Sequence, residues 1–169
     1  FEQACALAKP TLIDADGLYW LAESDGTAPP GTVITPHAAE AARLLGCSVA
    51  EVQSDRLTAA RQLAKAVGGV TVLKGAGSVV ADSDEVLGIC AHGNPGMASA
   101  GMGDVLSGVI GALLAQGYSS REAASIGACL HSLAADRAAA EQGEISLLAT
   151  DLMPQMVALL RTAARASDD

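Results

Sequence analysis

The segment from Gly93 to Asp104, GNPGMASAGMGD, combines glycines, small side chains and one carboxylate directly before a predicted helix. Glycines leave backbone N–H groups uncovered, and a helix N-terminus adds a partial positive charge, so this segment could bind a phosphate. It has neither the GxxxxGK[ST] nor the GxGxxG spacing of the common nucleotide loops. In the alternative interpretation, the small residues only allow close helix packing, and Asp104 is an ordinary N-terminal cap at the helix start.

A lysine that could bind a ligand lies at the end of a predicted strand. Lys74 ends an apolar strand and precedes Gly75, Ala76, Gly77 and Ser78. At a strand end followed by glycines, a lysine could frame a nucleotide-phosphate pocket, although a solvated surface lysine is an equally simple interpretation.

The three histidines differ in their surroundings. His37 follows the Thr35-Pro36 pair, with Glu40 three positions later on the same predicted helix face, and could be either a ligand contact or a plain first-turn residue. His131 lies among Ala and Leu in a helical pattern and is expected to pack. His92 is expected on a loop surface.

Strand and helix patterns alternate along the chain and predict the scaffold for these residues. Apolar or β-branched runs predict neighbouring core strands at 11–15, 32–35 and 70–74, and a hairpin at 78–82 and 86–91. Predicted helices cover 1–9, the stretch through Trp20 and Leu21, 35–45, a longer segment ending at Gly68-Gly69, the run from Asp104, the run after Ser119, and the C-terminal stretch from near Thr150-Asp151. The Thr35 hydroxyl is the expected N-cap of the helix that ends at Gly46, and 23–32 reads as a loop. This order predicts a three-layer α/β/α domain with a mostly parallel sheet, in which ligands bind at the carboxyl ends of the strands.

The composition argues against several classes of binding partner. The 169 residues are 50% hydrophobic and carry a formal net charge of -9, which argues against nucleic acid as a partner. No apolar stretch reaches the roughly 18 residues of a membrane helix, and no signal peptide is recognisable, so a soluble, cytoplasmic protein is expected. Cys5, Cys47, Cys90 and Cys129 are widely spaced and are expected to be buried free thiols.

Three segments together closely resemble the ADP/ATP-dependent NAD(P)H-hydrate dehydratase family: TPHAAEAARLLG at 35–46, VLKGAGSVVAD at 72–82 and GNPGMASAGMGDVLSGVIGALLAQG at 93–117. LIDADGL at 12–18 is also similar to that family. The resemblance implies a ribokinase-like sandwich, and it implies that residues 1–169 are the C-terminal portion of a single dehydratase domain, because members normally begin with further strands and helices.

The activity implied by the resemblance is repair of hydrated nicotinamide cofactors. The hydroxyl of S-NAD(P)HX would be phosphorylated by ADP or ATP, and elimination of phosphate would regenerate NAD(P)H. Asp104 would be the general base and contact the substrate, and His37 would also contact it. Lys74 to Ser78 and Gly103 would contact the nucleotide. Glu40 would lie near Mg²⁺, acting on it indirectly, and a homo-oligomer, with a tetramer favoured, is the implied assembly.

Two alternatives to this function stay open at the level of sequence. A small-alcohol kinase of the same fold, acting on a hydroxymethylpyrimidine or hydroxyethylthiazole, would use a base in a GMGD loop equally well. A non-catalytic fragment that serves as an assembly or nucleotide-sensing module would explain the missing opening elements.

Overall fold

The computed structural model describes residues 1–7, 9–24 and 28–166, and the expectations that fall on 8, 25–27 and 167–169 lie outside the described residues. Five strands form one sheet in the order β1 (Leu12–Ile13), β2 (Val33–Ile34), β3 (Val70–Leu73), β4 (Ser78–Ala81) and β5 (Val86–Cys90). Each strand is shorter than its predicted segment. The predicted neighbour relations of the first three strands, and the hairpin, are confirmed.

The sheet is mixed, which modifies the expectation of a mostly parallel one. β1–β2 and β2–β3 are parallel, whereas β3–β4 and β4–β5 are antiparallel. Two of the four pairings are therefore antiparallel, and both involve the hairpin strand β4. Because β5 runs antiparallel to β4, it runs in the same direction as β3, and the carboxyl ends of β1, β2, β3 and β5 lie at one edge.

Eight α-helices lie among the described residues, together with 3-10 turns at Pro95–Met97 and Ala149–Asp151. The helices are α1 (Glu2–Cys5), α2 (Asp16–Glu23), α3 (Ala38–Leu45), α4 (Val49–Ser54), α5 (Arg56–Val67), α6 (Met102–Ala115), α7 (Ser120–Gln142) and α8 (Leu152–Ala166). The N-terminal helix ends at Cys5, earlier than predicted.

Alternation along the strands separates two hydrophobic layers. Val33, Val70 and Val72 pack with residues of α6 and α7, whereas Ile34 and Leu73 pack with residues of α2 to α5. Successive strand side chains point to opposite faces, so one apolar run supplies both layers. The three-layer α/β/α prediction is confirmed. A third cluster joins α6 and α7 to α8.

Two predicted helix starts need correction. His37, not Thr35, is the N-cap of α3, because its Nδ1 accepts the Ala39 and Glu40 N–H groups while Thr35 is fully buried before the helix. α6 begins at Met102 after Gly101, whose φ of 84° needs a residue without a side chain, so Asp104 is the third helical residue and not the first.

Local capping contacts begin and end several helices, and the expected helix ends at Gly46 and Gly68 are confirmed. Ser48–Glu51 and Ser119–Glu122 form capping boxes at α4 and α7, and left-handed glycines end α3 and α5. The four cysteines are free, but the expectation of full burial is wrong: three are half-buried and Cys129 is exposed. Within the described ranges, none of the helices has the length and apolar character required to cross a membrane.

Candidate nucleotide and substrate site

A cavity of about 690 Å³ opens at the carboxyl edge of the sheet. It is lined by Lys74 to Ser78 after β3, by most of 91–103 after β5, and by Leu106, His131 and Ser132 from the helices behind. The two loops singled out from the sequence therefore face the same space. That convergence follows from the shared direction of β3 and β5, whose carboxyl ends lie at this edge.

Asp104 lies beside this cavity and not in it. It is exposed in the first turn of α6, and of the described residues of that turn, Met102 and Gly103 line the cavity while Asp104 does not. The N-terminal turn of α6 supplies backbone N–H groups and the positive end of the helix dipole at the cavity. This end of α6 can therefore bind an anion.

Three charged side chains from three elements meet behind the loops. The Lys74 ammonium donates to Asp14 Oδ1 at 3.0 Å and lies 3.8 Å from Glu40 Oε2. Asp14 follows β1, Lys74 follows β3, and Glu40 lies in the first turn of α3. The sheet and the first helical turn thus bring together residues that are 60 positions apart.

Asp14 is held in its ionised form by its neighbours. Burial alone raises the pKa of this carboxyl, but the hydrogen bonds from Ser107 and Lys74 and the charge of Lys74 outweigh burial and lower the pKa below its usual 3.8. Ser107 Oγ donates to Asp14 Oδ2 at 2.7 Å and ties α6 to the end of β1.

Gly103 lies close to this ion pair. A Cβ atom built at Gly103 would stand 3.5 Å from Lys74 Nζ and 3.6 Å from Asp14 Oδ2. A side chain at this position would therefore contact both members of the ion pair. The predicted nucleotide residues Lys74 and Gly103 are brought together here.

Arg56 fixes the loop that carries Gly75 to Ser78. Its guanidinium donates to the Leu73 carbonyl at 3.1 Å and to the Ala76 carbonyl at 2.5 Å. A Cβ at Gly75 would meet Arg56 Nη2 at 2.8 Å, so the loop packs directly on this side chain. Arg56 holds the loop by its backbone and leaves its inner face open to the cavity.

Asp136 on α7 holds the opposite loop. Its carboxylate accepts the Gly93 N–H at 3.0 Å and the Asn94 side-chain amide at 3.0 Å, and it lies 3.4 Å from His92 Nδ1. His92 is half-exposed, as predicted for a loop surface. Gly96 packs closely on the Glu144 backbone, where its Cβ would lie 2.5 Å from the carbonyl oxygen.

His131 packs as predicted but also borders the cavity. It is 5% exposed, and burial lowers its pKa to about 4, so the imidazole is neutral at physiological pH. Among the described groups, its Nε2 has no hydrogen-bond partner. A neutral, apolar-packed imidazole contributes no charge to the site.

His37 borders the cavity from the other side. Its Nε2 lies 3.5 Å from Glu40 Oε1, and the Glu40 side chain accepts the His37 backbone N–H at 2.7 Å. His37 and Glu40 also line a neighbouring cavity of about 300 Å³ with Tyr19 and Arg43. His37 therefore stands between the two spaces.

The described part of the chain contains no cluster of side chains with the composition of a protein-held metal site. In 1–7, 9–24 and 28–166 no group of three or more His, Cys, Asp or Glu side chains could coordinate a metal ion. Glu40, expected near Mg²⁺, faces Lys74 and caps α3 instead. Its predicted indirect role near Mg²⁺ stays a prediction.

Four side chains of this site were not anticipated from the sequence: Asp14, Arg56, Ser107 and Asp136. Only Asp14 carried a signal, because it directly follows the first predicted strand, where parallel sheets place functional groups. The other three lie inside helical patterns, where a polar residue is ordinarily solvated. Their partners come from distant segments.

Comparison with known proteins is consistent with this geometry. The family model described as NAD(P)H-hydrate dehydratase matches residues 1–157. The bifunctional NAD(P)H-hydrate repair enzyme Nnr of Vibrio cholerae is 51% identical over 159 residues, which is 94% of this chain and 32% of that protein. The chain thus spans about a third of the length of this curated relative.

Solved structures show the same architecture. An ADP/ATP-dependent NAD(P)H-hydrate dehydratase from Bacillus subtilis, co-crystallized with ATP/Mg²⁺ and soaked with CoA, superposes with a TM-score of 0.81 at 29% identity and covers 90% of this chain and 56% of that one. A ribokinase-like superfamily protein from Enterococcus faecalis superposes with a TM-score of 0.73 at 26% identity, over 89% of this chain and 52% of that chain.

The fold is therefore ribokinase-like. On the match over residues 1–157, this chain belongs to the NAD(P)H-hydrate dehydratase family.

Proposed function

We propose that this chain carries the nucleotide site and the catalytic residue for dehydration of S-NAD(P)HX to NAD(P)H, driven by ADP or ATP. One observation carries the proposal: the loops of Lys74 to Ser78 and of Gly93 to Gly103 line one cavity at the N-terminus of α6. A helix N-terminus beside a glycine-rich loop that begins with a lysine is suited to phosphate.

The proposed roles follow the position of each residue. Lys74, Gly75, Ala76, Gly77, Ser78 and Gly103 contact the nucleotide, with the phosphates at the first turn of α6. His37 contacts the hydrate. Asp104 takes the proton of the hydrate's hydroxyl as its oxygen attacks the terminal phosphorus, ADP or AMP leaves, and loss of phosphate from the ester regenerates the double bond of NAD(P)H.

Mg²⁺ accompanies the nucleotide in this proposal. The ATP/Mg²⁺ crystal of the Bacillus subtilis relative supports the pairing of nucleotide and metal. The nucleotide phosphates would supply oxygen ligands for the ion, and Glu40 would lie near it as an indirect contact.

The proposal extends to the domain, the cellular compartment and the assembly in which the chain acts. Residues 1–169 act as the C-terminal portion of a dehydratase domain whose other part completes the hydrate pocket. The protein works in the cytoplasm, as a homo-oligomer with a tetramer favoured. The partial coverage of longer relatives supports the first of these statements.

Thermal shift tests the nucleotide site in this chain by itself. Melting temperature is measured with ADP, ATP, AMP and GTP, each with Mg²⁺, beside a nucleotide-free sample with the same Mg²⁺. Selective binding to the folded state stabilises it by about 2.7 kcal/mol at a hundred times the dissociation constant, so adenine nucleotides should raise the melting temperature more than GTP does. A well-folded sample that shows no shift with any adenine nucleotide contradicts the site.

A turnover assay then distinguishes dehydratase activity from kinase activity. The chain, alone and joined to the preceding part of its parent protein, is incubated with NAD(P)H hydrate and ADP or ATP, and NAD(P)H absorbance is followed. NAD(P)H formation supports the proposal, whereas accumulation of a stable phosphorylated alcohol from a pyrimidine or thiazole substrate supports a kinase.

One observation favours a fragment that only senses nucleotide: Asp104 is exposed outside the lining of the cavity. If the chain binds ADP but neither form turns the hydrate over, the sensing function replaces the catalytic one.

A further inference from the structure

The charged cluster at the carboxyl edge of the sheet contains two carboxylates and one ammonium group. Two carboxylates, Asp14 and Glu40, approach the same Lys74 nitrogen at 3.0 and 3.8 Å. All three side chains are well shielded, with exposed fractions of 12% for Asp14, 18% for Glu40 and 22% for Lys74. Charges shielded to this degree interact more strongly than solvated surface pairs.

The other partners of the two carboxylates are not full cations. Asp14 Oδ2 accepts from the Ser107 hydroxyl, and Glu40 accepts the backbone N–H of His37. His37 Nε2 lies 3.5 Å from Glu40, and its Nδ1 accepts the Ala39 and Glu40 backbone N–H groups. Lys74 therefore supplies the positive charge that both carboxylates share.

Mg²⁺ needs oxygen ligands at about 2.0–2.1 Å in near-octahedral geometry. The space between Asp14 and Glu40 is already occupied by the lysine ammonium, which is a hydrogen-bond donor and cannot be a ligand while protonated. A metal at this point would have to displace Lys74 and separate it from both partners.

We propose that the Lys74 ammonium is the built-in counter-cation of the Asp14 and Glu40 carboxylates, in the place where a divalent cation would otherwise be held. The nucleotide-free chain consequently has no divalent-cation requirement at this edge of the sheet. This proposal does not depend on the proposed function, because it concerns the protein without nucleotide or substrate.

Removal of the lysine charge should create a site for another cation between Asp14 and Glu40. In Lys74→Ala, two shielded carboxylates lose their shared cation, which costs stability and makes the remaining space attractive to a small cation. Asp14→Asn in the same background removes half of that negative charge. Lys65→Ala is the matched control, because Lys65 is an exposed lysine in the last turn of α5.

Melting temperatures of the nucleotide-free proteins are measured against MgCl₂ at constant ionic strength. The wild type and Lys65→Ala should show no saturable shift. Lys74→Ala should melt lower than the wild type and regain roughly 2–4 °C or more as Mg²⁺ saturates, and the Asp14→Asn/Lys74→Ala double variant should lose that response. A folded Lys74→Ala protein without a Mg²⁺ response overturns the proposal.

Mn²⁺ binding to the wild type keeps the test decisive if Lys74→Ala does not fold. Bound Mn²⁺ is measured by electron paramagnetic resonance for the wild type and for Asp14→Asn. Equal binding by the two proteins supports the proposal, since the cluster then holds no metal. Mn²⁺ binding that is weakened by at least fivefold in Asp14→Asn overturns it, because the carboxylate would then be a metal ligand in the presence of Lys74.

Discussion

Two carboxylates border Gly103, and their surroundings suit them to different tasks. Asp14 is shielded, bonded to Lys74 and Ser107, and its pKa is lowered. Asp104 is exposed and carries no bonded cation among the described residues. Because Asp14 is already engaged by Lys74 and Ser107, we propose Asp104 as the group that takes the proton from a hydroxyl and Asp14 as the group that holds Lys74.

Replacement of Asp104 by Asn tests that assignment. The amide keeps the size of the side chain but loses its proton affinity, so turnover of the full-length protein should fall by roughly 10²–10⁴ while the ADP-induced thermal shift remains. Glu51→Gln is the control, because Glu51 occupies the corresponding third position of α4 away from the cavity. Near-normal turnover in Asp104→Asn would remove Asp104 from the mechanism.

The pH dependence of stability offers a second test at this scale. Because the folded-state pKa of Asp14 lies below its unfolded value of 3.8, its stabilising contribution is present above about pH 4 and is lost as pH falls through the lower folded value. Asp14→Asn should therefore flatten the acid limb of the wild-type stability curve. Urea unfolding between pH 2 and 6 measures it, and identical acid limbs would contradict the prediction.

At the scale of elements, the site depends on how α6 packs. α6 places Gly103 at the cavity and Ser107 against Asp14, and it buries Ile110 against α7. The approach of the two helices is close because Gly127 has no side chain: a Cβ there would stand 2.5 Å from the Ile110 Cγ1 atom. Ile110 is fully buried, so it has no free space into which to move.

Gly127→Ala should therefore destabilise the fold by about 1–3 kcal/mol in urea unfolding, since one methyl group must force the helices apart. Gly108→Ala on α6 is the control. No atom lies within 4 Å of its would-be Cβ, so alanine there should be neutral or stabilising by about 0.5–1 kcal/mol. Equal stability of Gly127→Ala and the wild type would show that the two helices can separate at no cost.

At the scale of the whole molecule, apolar surface is left uncovered. Met153, Val157 and Leu160 recur at helical spacing on α8 and are each about half exposed. β1 is an edge strand with only β2 as its neighbour. An open sheet edge and an apolar helix face favour association.

We expect a second copy of the chain, or the additional part present in its longer relatives, to cover these surfaces. Sedimentation velocity of this chain should show concentration-dependent association, and Val157→Glu should reduce it if the α8 face takes part. A stable, monodisperse monomer at all concentrations would contradict the expectation.

The sequence by itself determined the elements and the two loops. Period-two and period-3.6 patterns, capping boxes and glycine stops are local, so they identified the strands, most of the helices and the α/β class. The resemblance carried by GNPGMASAGMGD and KGAGS identified the family, and the α/β class predicted ligand binding at the carboxyl ends of the strands.

Only the tertiary structure decided which charges meet. Asp14, Glu40, Lys74 and Ser107 come from four separate elements, and whether a lysine faces phosphate, solvent or two carboxylates depends on helix and strand positions that no local pattern encodes. The same is true of Arg56 and Asp136, which looked like ordinary helical polar residues and hold the two cavity loops. Local sequence sets backbone preference over a few residues, whereas an ion pair across 60 positions exists only after the sheet has brought its strand ends together.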